Sequence, residues 1–262
     1  MEHILPAKPT LRQLIDLNRP AIGAMCFLPS SHSVEVQCES GAEFLFIDTE
    51  HSAIDRTALV TMLQAADISA TPVIVRAAWN NPELVGWPID FGAQGIMVPM
   101  VNSAQDAEKL VNAARYPPLG ERSWGALRQM YPGYDTEVGN QSTVCLALIE
   151  TREGFEAIEA ITSVEGLDAV WAGQSDLGIA FGLHPSRGRT NIDHLRRLET
   201  IAAVCIKNGV ATFANCADLE NARRLHDMGY RFLIVGSDLA HIMEGAREGI
   251  SAARKAMGLG PA

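Results

Sequence analysis

The stretch FLFIDTEHS, Phe44 to Ser52, carries an apolar run straight into Asp48, Glu50 and His51, three ionisable groups within four residues. An imidazole beside two carboxylates is suited to moving protons, because histidine titrates near neutrality and a neighbouring acid can fix its tautomer. His51 is therefore a candidate general base, with Asp48 and Glu50 as available orienting acids. An ordinary structural histidine is the alternative. The same pattern, an apolar run closed by a charge, recurs along the chain. Arg76 closes VIVR, Glu150 closes VCLALIE with Arg152 just beyond, Asp176 follows in GQSDL, and Asp238 follows FLIVGS. An isolated guanidinium in such a run is costly, and its planar fork of donors suits a carboxylate or a developing enolate oxygen. Glu150 and Asp176 end successive runs. Two carboxylates brought together repel unless a cation lies between them, and hard oxygen ligands with open positions suit Mg²⁺, Mn²⁺ or a similar ion. Helix capping or pairing with an arginine is the alternative for each.

Lysine placement narrows the chemistry. The four lysines are Lys8, Lys109, Lys207 and Lys255, one in the N-terminal tail and three on predicted helices. None closes an apolar run, so the lysine that a Schiff-base mechanism needs is missing from the expected position; if the protein handles carbanions, metal stabilisation is the remaining route. The segments GQSDLG and VGSD could present backbone N–H groups to a small anion, or serve only as tight turns.

These residues need a frame that brings strand ends together. Eight short apolar runs begin near residues 21, 44, 71, 95, 144, 167, 210 and 232, with helical patterns such as DRTALVTMLQAA, SAQDAEKLVNAAR, REGFEAIEAITS and DLENARRLHDMG between them. Continuous apolar runs suit strands buried on both faces of a parallel sheet. Eight βα units in one chain of 262 residues predict an α/β protein, a single (β/α)8 TIM barrel spanning residues 1–262, with 1–20 as an N-terminal extension or helix. A doubly wound sheet is the competing architecture. Barrel enzymes gather their chemistry at the C-terminal strand ends, where these charges fall. One connection is long, residues 116–143, rich in Gly, Pro and aromatics, and suits a loop over a site or a subunit contact.

Composition excludes other classes. The net charge of −10 disfavours a nucleic-acid partner. Five cysteines without a C-x-x-C pair argue against a disulfide framework or a zinc–cysteine site and fit a reducing compartment. The N-terminus lacks a signal-peptide core and no run is long enough to span a membrane, so a cytoplasmic protein is expected.

Six segments in order, FIDTEH, VIVRAAWNNP, IMVPMV, ARYPPLGERSWG, LIETREG and GQSDL, resemble the HpcH/HpaI aldolase family, and the likeness runs from about residue 20 to 255. It implies a homohexameric (β/α)8 barrel, a trimer of dimers, acting as a class II aldolase on pyruvate and an aldehyde with Mg²⁺, Mn²⁺ or Co²⁺. By the same resemblance, His51 acts as base with Asp48, Glu50 supports them, and Arg76 contacts the keto or enolate oxygen. Glu150 and Asp176 hold the metal, the turn Gly173–Gln174–Ser175 holds the substrate carboxylate, and Asp90 is supplied across a subunit contact. Gln174 stands where the family usually has proline, which alters a donor in that turn. The alternatives are a citrate-lyase-β-like carbon–carbon lyase acting on an acyl-CoA thioester, for which GRTNIDHLRR is the nearest basic segment, and a sugar-phosphate isomerase using VGSD. A barrel that only binds is a fourth.

Overall fold

A computed structural model describes residues 8–125, 128–184, 188 and 190–260. Residues 1–7 of the expected N-terminal extension, and part of GRTNIDHLRR, lie outside the described residues. The eight expected strands form: β1 (Ala21–Cys26), β2 (Phe44–Asp48), β3 (Val73–Arg76), β4 (Gly95–Val98), β5 (Val144–Ile149), β6 (Ala169–Ala172), β7 (Ala211–Cys216) and β8 (Phe232–Ser237). They pair in parallel in chain order, and β8 pairs back onto β1. The sheet is a closed (β/α)8 barrel, which removes the open doubly wound alternative.

Strand alternation explains both faces. On β2, Phe44 and Phe46 face the axis while Leu45 and Ile47 pack outward beneath the helices. The inner column of aromatics fills the barrel: Phe213 stacks on Phe232 at 4.3 Å, Phe46 lies 4.7 Å from Trp171, and Phe44 meets Phe213 edge-on at 5.8 Å. The interior is thus a packed core rather than a pore. The helix Leu11–Asp16 closes the floor, with Leu11 and Leu14 buried among those inner residues. Arg12 pins it, reaching Asp168 Oδ1 at 2.7 Å, and Arg115 takes the other oxygen at 2.9 Å. The part of the expected N-terminal extension that is described is therefore the barrel's plug.

Side-chain caps start most of the helices after the strands, among them Ser30, Asp55, Asn81, Ser103 and Asp218, whereas the helix after β6 starts at Gly173 without one. The expected helix REGFEAIEAITS is split at Ala157 into Arg152–Glu156 and Ile158–Thr162. The described part of the long connection 116–143 does not cover the mouth. It joins the end of helix Ala104–Ala114 to the start of β5, and its Arg128 pairs with Asp67 near the end of helix Arg56–Ile68, on the floor side. A helix-to-strand connection must lie there, because strands run toward the mouth and helices run back.

The last helix, Asp238–Ala256, buries only Asp238. Leu239, Ile242, Met243 and Ile250 on it are exposed, and so are the outward-facing Ile22 of β1 and Val235 of β8.

Candidate active site

The crown of the barrel follows from strand alternation. Asp48 is the third member of the inward column begun by Phe44 and Phe46, and Arg76 continues the inward position of Ile74 on β3. The β2–β3 register sets Asp48 opposite Arg76. Arg76 Nε and Nη2 grip the two Asp48 oxygens at 2.9 and 2.5 Å, a bidentate fork over a carboxylate that is fully buried. Asp48 Oδ1 also accepts the backbone N–H groups of Glu50 at 2.9 Å and His51 at 3.4 Å, which shapes the turn after β2.

The imidazole is not held by Asp48. The His51 ring is 70% exposed, and its nearest acid is Glu50, with Nε2 and Oε2 3.8 Å apart. Glu50 Oε2 also lies 3.0 Å from Arg76 Nη1, yet it is buried without a hydrogen bond. Burial pushes the Glu50 carboxyl up, and the charges of Arg76 and His51 only partly offset this. Glu50 is thus the acid between imidazole and guanidinium, while Asp48 fixes Arg76 and the loop.

Across the mouth, Glu150 follows β5 and is buried, its Oε1 accepting Met100 N–H at 2.7 Å. Met100 adopts a left-handed φ of 56°, a conformation that non-glycine residues rarely take, so the backbone is bent to aim this N–H. Glu150's carboxyl is pushed up by burial first and then by the negative charges of Asp176 and Glu50, while the Met100 bond and Arg76 pull the other way. Asp176, in the first turn of helix Gln174–Ala180, is exposed. Gly173 is required by close approach: a Cβ there would stand 2.8 Å from Glu150 Cβ. Its N–H bonds to the Ile149 carbonyl at 2.9 Å, which leaves the first-turn N–H groups of Gln174 and Ser175 as the donors of that turn.

Three acids that repel one another beside a single guanidinium are a poor apo arrangement and a good cation site. The donor set is all carboxylate oxygen, and beside it Glu50 Oε2 is buried with an ion pair to Arg76 but no hydrogen bond. Among the described residues no three His, Cys, Asp or Glu side chains enclose an ion. The fit is therefore to a hard divalent ion on Glu150 and Asp176, open to water and substrate, rather than to a closed protein cage. No lysine competes for the chemistry: Lys8 reaches Thr71 at the floor, Lys207 pairs with Glu159, and Lys109 and Lys255 lie on outer helices.

Other expected residues turn away. Asp238 is buried and accepts Phe27 N–H, Leu28 N–H and Ser33 Oγ, which makes it a brace for the loop after β1. Arg152 lies over the Phe181 ring at 4.2 Å. Asp90 ends helix Pro82–Asp90 on the floor side, held by Arg122 Nη2 at 2.5 Å, so it is not at its own chain's mouth. Two features escaped the sequence reading. The Met100 backbone donor has no signature in residue type. Asn215, the next inward position after Phe213 on β7, was within reach of the same alternation rule.

The model of the HpcH/HpaI aldolase/citrate lyase family matches residues 23–245. A pyruvate aldolase of Rhizobium etli is 34% identical over 86% of this chain and 89% of its own. A 4-hydroxy-2-oxo-heptane-1,7-dioate aldolase of Escherichia coli is 31% identical over 87% of this chain and 88% of its own. The crystal structure of the citrate synthase SbnG superposes with a TM-score of 0.85 at 28% identity, over 95% of this chain and 98% of that one.

Proposed function

The chain belongs to the HpcH/HpaI aldolase/citrate lyase family, a carbon–carbon lyase by its aldolase relatives, and on that premise we propose how its barrel mouth works. It is a divalent-metal-dependent aldolase that reversibly cleaves 4-hydroxy-2-oxo acids to pyruvate, or a related 2-oxo acid, and an aldehyde. The arrangement that supports the metal reading is the meeting at one mouth of the buried Glu150 carboxylate, Asp176 in the first turn after β6, and Glu50, beside the Arg76 guanidinium.

Glu150 and Asp176 would hold Mg²⁺, Mn²⁺ or Co²⁺, whose chemistry there is to polarise the keto group of a 2-oxo acid and offset charge on the enolate. Arg76 supplies donors to the same oxygen. Its orientation is set by the bidentate Asp48 pair, which spends Nε and one Nη2 hydrogen; the second Nη2 hydrogen and Nη1, which Glu50 Oε2 flanks at 3.0 Å, face the substrate. The N–H groups of Gln174 and Ser175 receive the carboxylate, next to Gly173, whose missing side chain keeps that turn against Glu150. His51 takes the proton from the C4 hydroxyl in cleavage and returns it in addition. Glu50 is the acid nearest the ring, and solvent reaches the ring for proton exchange.

Assembly belongs to the same proposal: a homohexamer, a trimer of dimers. The bare apolar face of helix Asp238–Ala256 and the uncovered outer faces of β1 and β8 support association of copies. Asp90 would then act at a neighbouring copy's mouth. The five free cysteines suit a cytoplasmic protein, and among the described residues no helix is long and apolar enough to cross a membrane.

The test is a screen of 4-hydroxy-2-oxo acids in which released pyruvate is measured, with borohydride trapping alongside. Pyruvate release without a trapped adduct is expected. No release from any member, or a borohydride-trapped lysine, refutes the assignment.

A further inference from the structure

Arg152 stands two residues beyond Glu150, yet it takes no part in the mouth. Its guanidinium lies over the ring of Phe181, the residue that follows helix Gln174–Ala180. Arg197, in the second turn of helix Ile192–Lys207, lies over the same ring. The two guanidinium carbons stand 4.2 and 3.7 Å from the ring centroid, so they are at most about 8 Å apart. Phe155 of helix Arg152–Glu156 meets Phe181 edge-on at 5.8 Å, which helps to fix the ring in place.

Stacking accounts for where these two cations sit, but not for what balances their charge. Attraction to the ring uses the flat face of a guanidinium and leaves its N–H fork at the edge. Arg152 donates one long bond, from Nη2 to the Ala180 carbonyl at 3.5 Å. Among the described residues neither arginine has a carboxylate partner, although the chain carries 31 acids against 21 lysines and arginines. Arg196, next to Arg197, does pair, with Asp193 at 3.3 Å. The positions between Phe181 and this helix that lie outside the described residues, 185–187 and 189, are Pro, Ser and two Arg, so they supply no carboxylate. Three residues back on the same helix face, the buried His194 has its pKa pushed down by burial first and by the Arg197 charge second.

Two like charges held together repel unless an ion of opposite sign joins them. A carboxylate offers two coplanar oxygens, which one guanidinium fork fills. A phosphate dianion offers three oxygens at tetrahedral angles and accepts a fork on each of two sides. With each guanidinium carbon about 4 Å from the phosphorus, one phosphate spans the distance between the pair. We propose that Arg152 and Arg197, both held over Phe181, form a binding site for a phosphate dianion, free or carried as a phosphomonoester, on the helical wall beside the mouth. The site takes no part in the carbon–carbon chemistry, and it stands or falls independently of the reading of the mouth.

The test is calorimetric titration of inorganic phosphate into the chelator-stripped full chain at pH 8 and fixed ionic strength. Binding should saturate, and it should weaken as salt is raised, because the patch is partly exposed. Arg152→Gln and Arg197→Gln each keep part of the stem and remove the charge, so each should raise the phosphate Kd by about tenfold or more. Arg197→Lys keeps a cation without the planar fork and should fall between wild type and Arg197→Gln. Arg196→Gln, whose wild-type side chain pairs with Asp193, should bind phosphate as wild type does. Glycerol 3-phosphate in a parallel titration separates the two sources: the tighter ligand of the pair names the source, and saturable binding of either supports the site. An unchanged far-UV circular dichroism spectrum shows that a loss of binding is local. No saturable binding of either phosphate by wild type, equal affinity for chloride, or a Kd unchanged in both glutamine variants overturns the inference.

Discussion

Glu150→Gln separates the charge at the proposed metal site from its shape. The glutamine keeps an oxygen to accept the Met100 N–H, now held at 2.7 Å, and fills the same space. It removes one negative charge from a group in which Asp176 and Glu50 already raise the Glu150 pKa. For an acid whose folded pKa lies above its unfolded value of about 4.3, the native state is penalised as pH rises through that interval, and the penalty is complete above the folded pKa. At pH 7.5 the metal-free variant should therefore be as stable as wild type or more so. The metal response should go the opposite way. A divalent ion at 100 times its Kd stabilises wild type by about 2.7 kcal/mol, which for a chain of this size raises Tm by roughly 5–10 °C. Glu150→Gln should lose most of that rise. The assay is thermal unfolding of chelator-stripped protein titrated with Mn²⁺. An equal Mn²⁺-dependent rise in the variant, or none in wild type, refutes the argument.

Arg76→Lys replaces a planar fork with a point charge over the buried Asp48, so kcat/KM for retro-aldol cleavage should fall by about 100-fold or more; near-normal kinetics would remove the proposed contact. His51→Ala should slow turnover by roughly 10²–10⁴ while leaving Tm unchanged, because the ring is mostly exposed; wild-type rates would exclude it as the proton carrier. Asp168→Ala leaves Arg12 and Arg115 without their shared carboxylate at the floor, and chemical denaturation should show a loss of about 3–5 kcal/mol; a change under 1 kcal/mol would deny that this pair anchors the plug.

The barrel was legible because its strands are short, apolar on both faces and regularly interrupted by helical patterns. The mouth was legible for a related reason. A charge that ends an inward column, as Asp48 ends Phe44 and Phe46, has nowhere to go but the crown. What one strand cannot report is its neighbour's register. That register gave Asp48 to Arg76 and left Glu50 as the acid near His51. Charges outside an inward column were overread: Asp238 braces a loop and Arg152 stacks on Phe181. Of the two readings of residues 116–143, a loop over the site fails, because their position between a helix and the next strand puts the described part on the floor side. The Met100 donor depends on a backbone angle that no side chain announces.

The central claim is that the carboxylates of Glu150 and Asp176 need a cation before a bound 2-oxo acid becomes a nucleophile. Its most direct test is turnover of a 4-hydroxy-2-oxo acid by protein stripped with EDTA, measured as pyruvate formed before and after Mn²⁺ or Mg²⁺ is restored. No turnover in the stripped protein and recovery on restoring the ion is the predicted result. Full turnover in excess EDTA would contradict it.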